Sequence, residues 1–216
     1  MYYKTMVCFI FMWLAFSPMA AEVISIDKIA AVVNNRIITR TDIDKAILFF
    51  PVFRKKNQPQ RAFYAGVLQD LIHYKVISLE YSDEIILRDE DYTDVQTSAI
   101  NKVGSYDKLL RQLRRWDMTW SDFKVFIREK VIYEKVLKQK FPIKIDIGFN
   151  EIETFYNEQY LPAQNRLKLK PRTLIEMTAL IENQLRKERL QEPLARWLKE
   201  IAASYRIENK LAEEQQ

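Results

Sequence analysis

The chain has 216 residues, of which 48% are hydrophobic and 29% charged, with 34 Lys and Arg against 29 Asp and Glu and a formal net charge of +5. Three glycines and one histidine leave no glycine loop able to cradle a phosphate and no His/Cys cluster with metal-ligand spacing. A single cysteine, Cys8, rules out a disulfide framework within the chain.

Residues 1–21 read as a secretory signal. Lys4 gives a weakly positive start, Met6–Phe16 is uncharged and apolar, and Ser17-Pro18-Met19-Ala20-Ala21 supplies a turn and small residues. Cleavage is expected after Ala21, and it removes Cys8. The apolar run is short against the roughly 20 residues a spanning helix needs. An uncleaved anchor is the competing reading. The expected destination is the periplasm.

Ile26–Val33 is apolar and partly β-branched, and Asn34-Asn35 separates it from Arg36–Thr39. Asn tolerates the left-handed backbone of a two-residue hairpin turn, so this stretch predicts a hairpin. Thr41 followed by Asp44 predicts an N-cap for a helix from Asp42 to about Phe50 that stops near Pro51. A two-stranded hairpin is not stable alone and needs a partner elsewhere in the chain.

Gln60–Tyr81 carries Tyr64, Val67, Leu68, Leu71, Ile72 and Leu79 at helical spacing. His73 within it has no ligating partner and reads as a packing or surface residue. Asp89 caps an expected helix from Glu90 to about Val103, stopped by Gly104. Ser105 starts another that ends near Trp116, with Asp117 in a left-handed cap position. Thr119 and Asp122 form a capping box for a helix from Trp120 to about Gln139. On that helix Phe123, Phe126, Ile127, Tyr133 and Leu137 share a broad face continuing to Phe141. Val125, Ile132 and Val136 fall opposite, with Lys124, Arg128, Lys135 and Lys138 between. Two apolar faces predict the central helix of a bundle.

Ile143–Ile147 is an expected extended link. Asn150 with Glu153 starts a helix through Tyr160, and Leu161–Lys170 reads as a polar, basic connector. The last helix starts near Pro171 or Thr173, with a kink or break expected near Leu190 from Pro193. Tyr205–Glu208 alternates like a short strand, and Lys210–Gln216 reads as a frayed polar tail.

Residues 101–216 hold 23 basic against 17 acidic residues. Acids are interleaved nearly everywhere, which favours solvated helix faces over a nucleic-acid surface. A basic face attracting acidic clients or lipid headgroups is the competing reading. No constellation reads as an active site: acid pairs such as Glu151/Glu153 sit at helix starts, and no serine lies in a nucleophile elbow. No cofactor and no metal is expected.

The stretches DKIAAVVNNRIITRTDID, GSYDKLLRQL, MTWSDFKVFIREKVIYEKVLKQK and FNEIETFY occur in this order, around the helix Gln60–Tyr81. In that order the chain resembles the amino-terminal module of the SurA-like family of periplasmic chaperones, over about 135 residues after the signal. The resemblance implies a mainly helical chaperone domain. Its small sheet would join the N-terminal hairpin to the strand at Tyr205–Glu208. The implied division is a module over 22–160, a connector over 161–170, and a closing helix and strand over 171–208 that pack back on the module. Residues 209–216 would be the tail.

Two departures stand out. Family members commonly carry a parvulin-type prolyl isomerase domain after the EIxxFY segment, and ten residues cannot hold one. Asp117 also stands where the family often has Gly. The resemblance therefore implies a chaperone or holdase without isomerase activity, whose partners are unfolded polypeptides such as outer-membrane proteins. The candidate client-binding side chains are aromatics near helix ends: Phe49, Phe50, Phe53, Trp116, Trp120, Tyr156 and Tyr160. Core packing is the competing reading for each, above all for Trp120. The rival function is a non-catalytic adaptor or structural subunit of an envelope complex.

Overall fold

The computed structural model describes residues 27–141 and 146–213, the last two by their backbone alone. The expected signal and most of the link Ile143–Ile147 lie outside the described residues. The chain is mainly helical with one small antiparallel sheet.

Strands β1 (Ile29–Val33) and β2 (Arg36–Thr39) form the expected hairpin. Asn34 supplies the turn at φ 53°. A register shift between Ile29 and Ala31 inserts Ala30 as a bulge. This is why Ala30 and Ala31, adjacent in sequence, are both buried: an extra residue breaks the in–out alternation of a strand.

Thr39, not Thr41, caps α1 (Arg40–Phe49). Its hydroxyl accepts from the Asp42 N–H at 3.2 Å, and the Asp42 carboxylate accepts from the Thr39 N–H at 2.9 Å. The Thr41 N–H donates instead to Asp27. The strand thus runs into the helix without a loop, and the cap falls on its last residue.

Helix α2 (Gln60–Tyr81) keeps the expected bounds. Helix α3 (Thr93–Val103) starts later than expected, because Asp89–Tyr92 winds as a 3-10 turn first. Gly104 ends α3 at φ 100°. Ser105 caps α4 (Tyr106–Arg115), and Asp117 takes the left-handed position at φ 48°. The Thr119–Asp122 capping box opens α5 (Trp120–Lys140) as expected.

Helices α2 and α5 pack along each other at the centre. Phe123, Ile127 and Val131 of α5 join the main core with Leu68, Leu71 and Ile72 of α2. Ile132 and Val136 face a second cluster with Ile77, so α5 is sandwiched. Val125 departs from the expected face: it is 70% exposed and stands at the edge of a hollow with Ile38, Leu71 and Phe126. The charged flank of α5 meets the acidic segment before it. Lys124, Lys135 and Lys138 pair with Asp89, Asp91 and Asp94 at 2.6, 2.8 and 2.6 Å.

Helix α6 (Phe149–Phe155) is capped by Gly148, whose N–H donates to the Glu151 carboxylate at 3.0 Å, two residues earlier than the expected Asn150–Glu153 start. It passes through a π-helical turn at Tyr156–Tyr160 into α7 (Leu161–Arg166). The expected connector is therefore helical through Arg166. Pro162 lies inside this run, directly after the π-helical turn, where the helix already departs from its regular hydrogen-bond pattern.

Helix α8 (Leu174–Ala202) runs unbroken in its hydrogen-bonded assignment, with Pro193 inside it. Of the expected kink or break, the break is absent: apolar contacts hold the helix on both sides of the proline. Ile181 packs with Ile147 and Ile152 in a small outer cluster, and Leu198 packs with Ile77, Ile132 and Val136.

Strand β3 (Ile207–Asn209) then pairs antiparallel with β1, giving the order β2-β1-β3. This is the missing partner of the hairpin. The segment expected to fray continues as α9 (Lys210–Glu213), with Leu211 packed on the main core.

Candidate functional site

The end of α1 positions an aromatic cleft. Pro51 cannot continue the helix, so Phe50 turns extended at φ −97° and ψ 151°. This sends two neighbouring aromatics in different directions. Phe49 points into the core, edge-on to Phe123 with centroids 5.3 Å apart. Phe50 lies along the α2–α5 seam, stacked on Phe126 at 5.4 Å and edge-on to Tyr74 at 6.1 Å. Aromatic pairs in such geometries are worth about 0.5–1.5 kcal/mol beyond area burial.

Lys130 of α5 crosses the same seam. Its Nζ lies 5.4 Å from the Phe50 ring centre and 5.0 Å from that of Tyr74, and pairs with Glu134 at 2.7 Å. The residue is 9% exposed. A buried ammonium held by aromatic faces and a carboxylate is a tolerated cation.

Two hollows meet at Phe50, Tyr74 and Lys130. One, of about 210 Å³, is bounded by Ile38, Leu71, Val125 and Phe126, with Lys75 and Glu129 paired at 2.6 Å on its edge. The other, of about 430 Å³, is bounded by Val52, Phe53, Phe63, Val67 and Asp70. Gly66 also lines it, and a Cβ there would meet nothing within 4 Å, so the α2 wall is open at that point. Phe53 stands on the rim at 89% exposure. Burial raises the Asp70 carboxyl pKa, with Lys130 opposing. Burial raises the Tyr74 hydroxyl further, helped by the Asp70 and Glu134 charges. Both belong to a trough of mixed polarity, whose walls also carry Asp42, Lys75, Glu129 and Gln58.

Of the seven aromatics singled out from sequence, the structure brings Phe50 and Phe53 together at this cleft. Phe49 is fully buried and cannot meet a ligand without opening the core. Trp116, half-buried, lies under the Lys45 ammonium at 5.9 Å. Trp120, also half-buried, sits between Tyr106 and Phe123 and packs against the core. Tyr156 packs on the outer cluster and stacks on Tyr160 at 5.3 Å, away from the cleft. Tyr74, Phe63, Phe126 and Lys130 were missed as site residues. Only the register between α2 and α5 brings them together, and no local spacing encodes that register.

A third hollow, of about 460 Å³, lies between α2 and α8 and includes His73, Tyr133, Leu194 and Leu198. Burial lowers the His73 pKa, and its Nε2 lies 2.8 Å from the Gln69 amide. Among the described residues no group of three or more His, Cys, Asp or Glu side chains could hold a metal ion. No helix among them is long and apolar enough to cross a membrane.

Comparison with known proteins gives one relative at a distance. The chain is 23% identical over 159 residues to Chaperone SurA of Methylobacillus flagellatus. The match covers 69% of this chain and 36% of that relative, so the chain spans about a third of the protein it matches. No protein-family model matches the chain.

Proposed function

We propose that this protein is a SurA-like chaperone of the periplasm that holds unfolded or partly folded polypeptides, outer-membrane proteins among them, without prolyl isomerase activity. The carrying observation is the cleft at Phe50, Phe53, Tyr74 and Phe126, a trough of aromatic, apolar and charged side chains with an exposed aromatic on its rim. The distant similarity to a protein named as a chaperone supports the same reading. A trough of this kind takes apolar and aromatic side chains of an extended segment by burial alone. Release follows when the client folds and withdraws those side chains. The absence of isomerase activity rests on the short span between α7 and α8, residues 167–173, which is far below the roughly 50 residues of even a small domain.

The test is aggregation suppression by the chain from residue 22 onward. Several unrelated unfolded proteins should stay in solution at near-stoichiometric amounts. Crosslinks from an unfolded outer-membrane protein should fall on Phe53, Phe63 and Val125. Failure on every client, with one tight partner in a pull-down, would replace this reading with that of an adaptor subunit.

A further inference from the structure

The outer lobe ends in a segment that the cleft does not use. From the last residue of α7 the chain reads Arg166-Leu167-Lys168-Leu169-Lys170-Pro171-Arg172, with no acid among the four cations. Residues 165–173 are all exposed. Leu167 and Leu169 are 65% and 55% exposed, and Ile175, in the first turn of α8, is 87% exposed. Among the described residues none of the four cations forms an ion pair. Glu176, the nearest acid in sequence beyond the loop, is engaged in capping α8 through the Thr173 N–H at 2.8 Å.

This loop has a fixed shape. Lys168 takes a left-handed backbone at φ 54°. The Lys168 and Leu169 N–H groups close the end of α7 onto Asn165 and Gln164 at 3.1 and 3.0 Å. At the other end the Tyr156 hydroxyl donates to the Arg172 carbonyl at 2.7 Å, and the Arg172 N–H donates to the Tyr160 hydroxyl at 3.0 Å. The two stacked tyrosines thus brace a loop that presents alternating cations and leucines to solvent.

We propose that Arg166–Arg172 is a docking surface for an anionic lipid headgroup layer. The charge is one-sided: Arg166, Lys168 and Lys170 form no ion pair among the described residues, and Arg172 acts only at longer range on Glu176, an excess of cations that suits a surface of negative charge. The leucines stand out from the loop instead of lining a groove. That arrangement suits insertion at the headgroup–acyl boundary better than capture of a peptide, which needs a concave site. The inference is independent of the cleft and goes beyond the chaperone reading.

The experiment is vesicle co-sedimentation with the chain from residue 22, which keeps every described residue and omits the apolar run Met6–Phe16. Vesicles of phosphatidylglycerol with phosphatidylethanolamine should bind it, and vesicles of phosphatidylcholine should not. Replacing Lys168 and Lys170 by Gln should weaken binding about thirtyfold, from the usual contribution of two cations near an anionic surface. Replacing Leu167 and Leu169 by Ser should also weaken binding and make what remains more sensitive to salt. Both double variants should keep the parent urea midpoint, since the altered side chains are exposed. Equal binding to both vesicle types, no binding at all, or parent-like binding by both variants would overturn the proposal. So would leucine-dependent self-association without vesicles, or tight binding of a polyglutamate peptide in their place.

Discussion

Asn34 offers the sharpest test of how the two ends of the chain are joined. Its backbone sits at φ 53°, its N–H donates to the Arg206 carbonyl at 2.7 Å, and its Oδ1 accepts from the Arg206 N–H at 2.9 Å. One residue therefore turns the hairpin and pins the approach to β3. Asn34→Ala removes the side-chain acceptor, at about 1 kcal/mol, and forces a Cβ residue without a local polar partner into the left-handed region, at about 1–2 kcal/mol. Together they give a loss of about 2–3 kcal/mol. Asn34→Gly removes the acceptor but relaxes the turn, so its loss should stay near 1 kcal/mol. For a chain of this size each kcal/mol lowers Tm by about 2–4 °C. Urea unfolding followed by circular dichroism, with thermal melts on the same samples, should rank the chains as parent, Gly variant, Ala variant. If the Gly variant is as unstable as the Ala variant, turn geometry contributes nothing. If both match the parent, the tie to Arg206 is irrelevant to stability.

Four further outcomes are expected. Phe50→Ala should cost about 3–5 kcal/mol, read as a lower urea midpoint, because Phe50 is buried against Phe126 and Tyr74. Phe53→Ala should leave that midpoint within about 0.5 kcal/mol yet weaken suppression of client aggregation, since its ring is on the rim and exposed. Gly66→Ala should raise stability by about 0.5–1 kcal/mol, as open space awaits its methyl group within a helix; a loss would show that the cleft wall tolerates no Cβ there. Burial and the Glu80 carboxylate push the Tyr205 hydroxyl up to about 12 in the folded chain, from an ordinary value of 10. The folded pKa is the higher one, so this contribution is intact below pH 10 and is lost as pH rises toward 12. An alkaline urea series should show that loss in the parent and a smaller one in Tyr205→Phe.

Much of the scaffold was legible because its signals are local. The α2 bounds follow from periodicity, and the Gly104 stop, the Ser105 cap and the Thr119–Asp122 box follow from hydrogen bonds closed within three or four residues. Thr41 misled because two threonines each precede an acid by three. The choice of Thr39 depends on where β2 ends, which its pairing with β1 sets. At Pro193 a local rule allows a break as well as a kink, and packing on both sides carries the helix through unbroken. The cleft was the least legible part. Phe50 and Phe53 were within reach as aromatics around a helix stop. Tyr74 and Lys130 join them only through contacts between residues far apart in sequence.

The pairing of β1 with β3 also sets an order of events. Val33 meets Ile207, almost the full length of the described chain away. A polypeptide that is synthesised or exported from its N-terminus presents β1 with one edge open until Ile207–Asn209 emerges. Helices α2 to α5 can form from local contacts during that interval, and closing so long a loop comes last. Until then the hairpin is an unpaired edge of the kind that drives association between chains. A nascent copy of this protein, under the chaperone reading, belongs to the same class of substrate that its finished form protects.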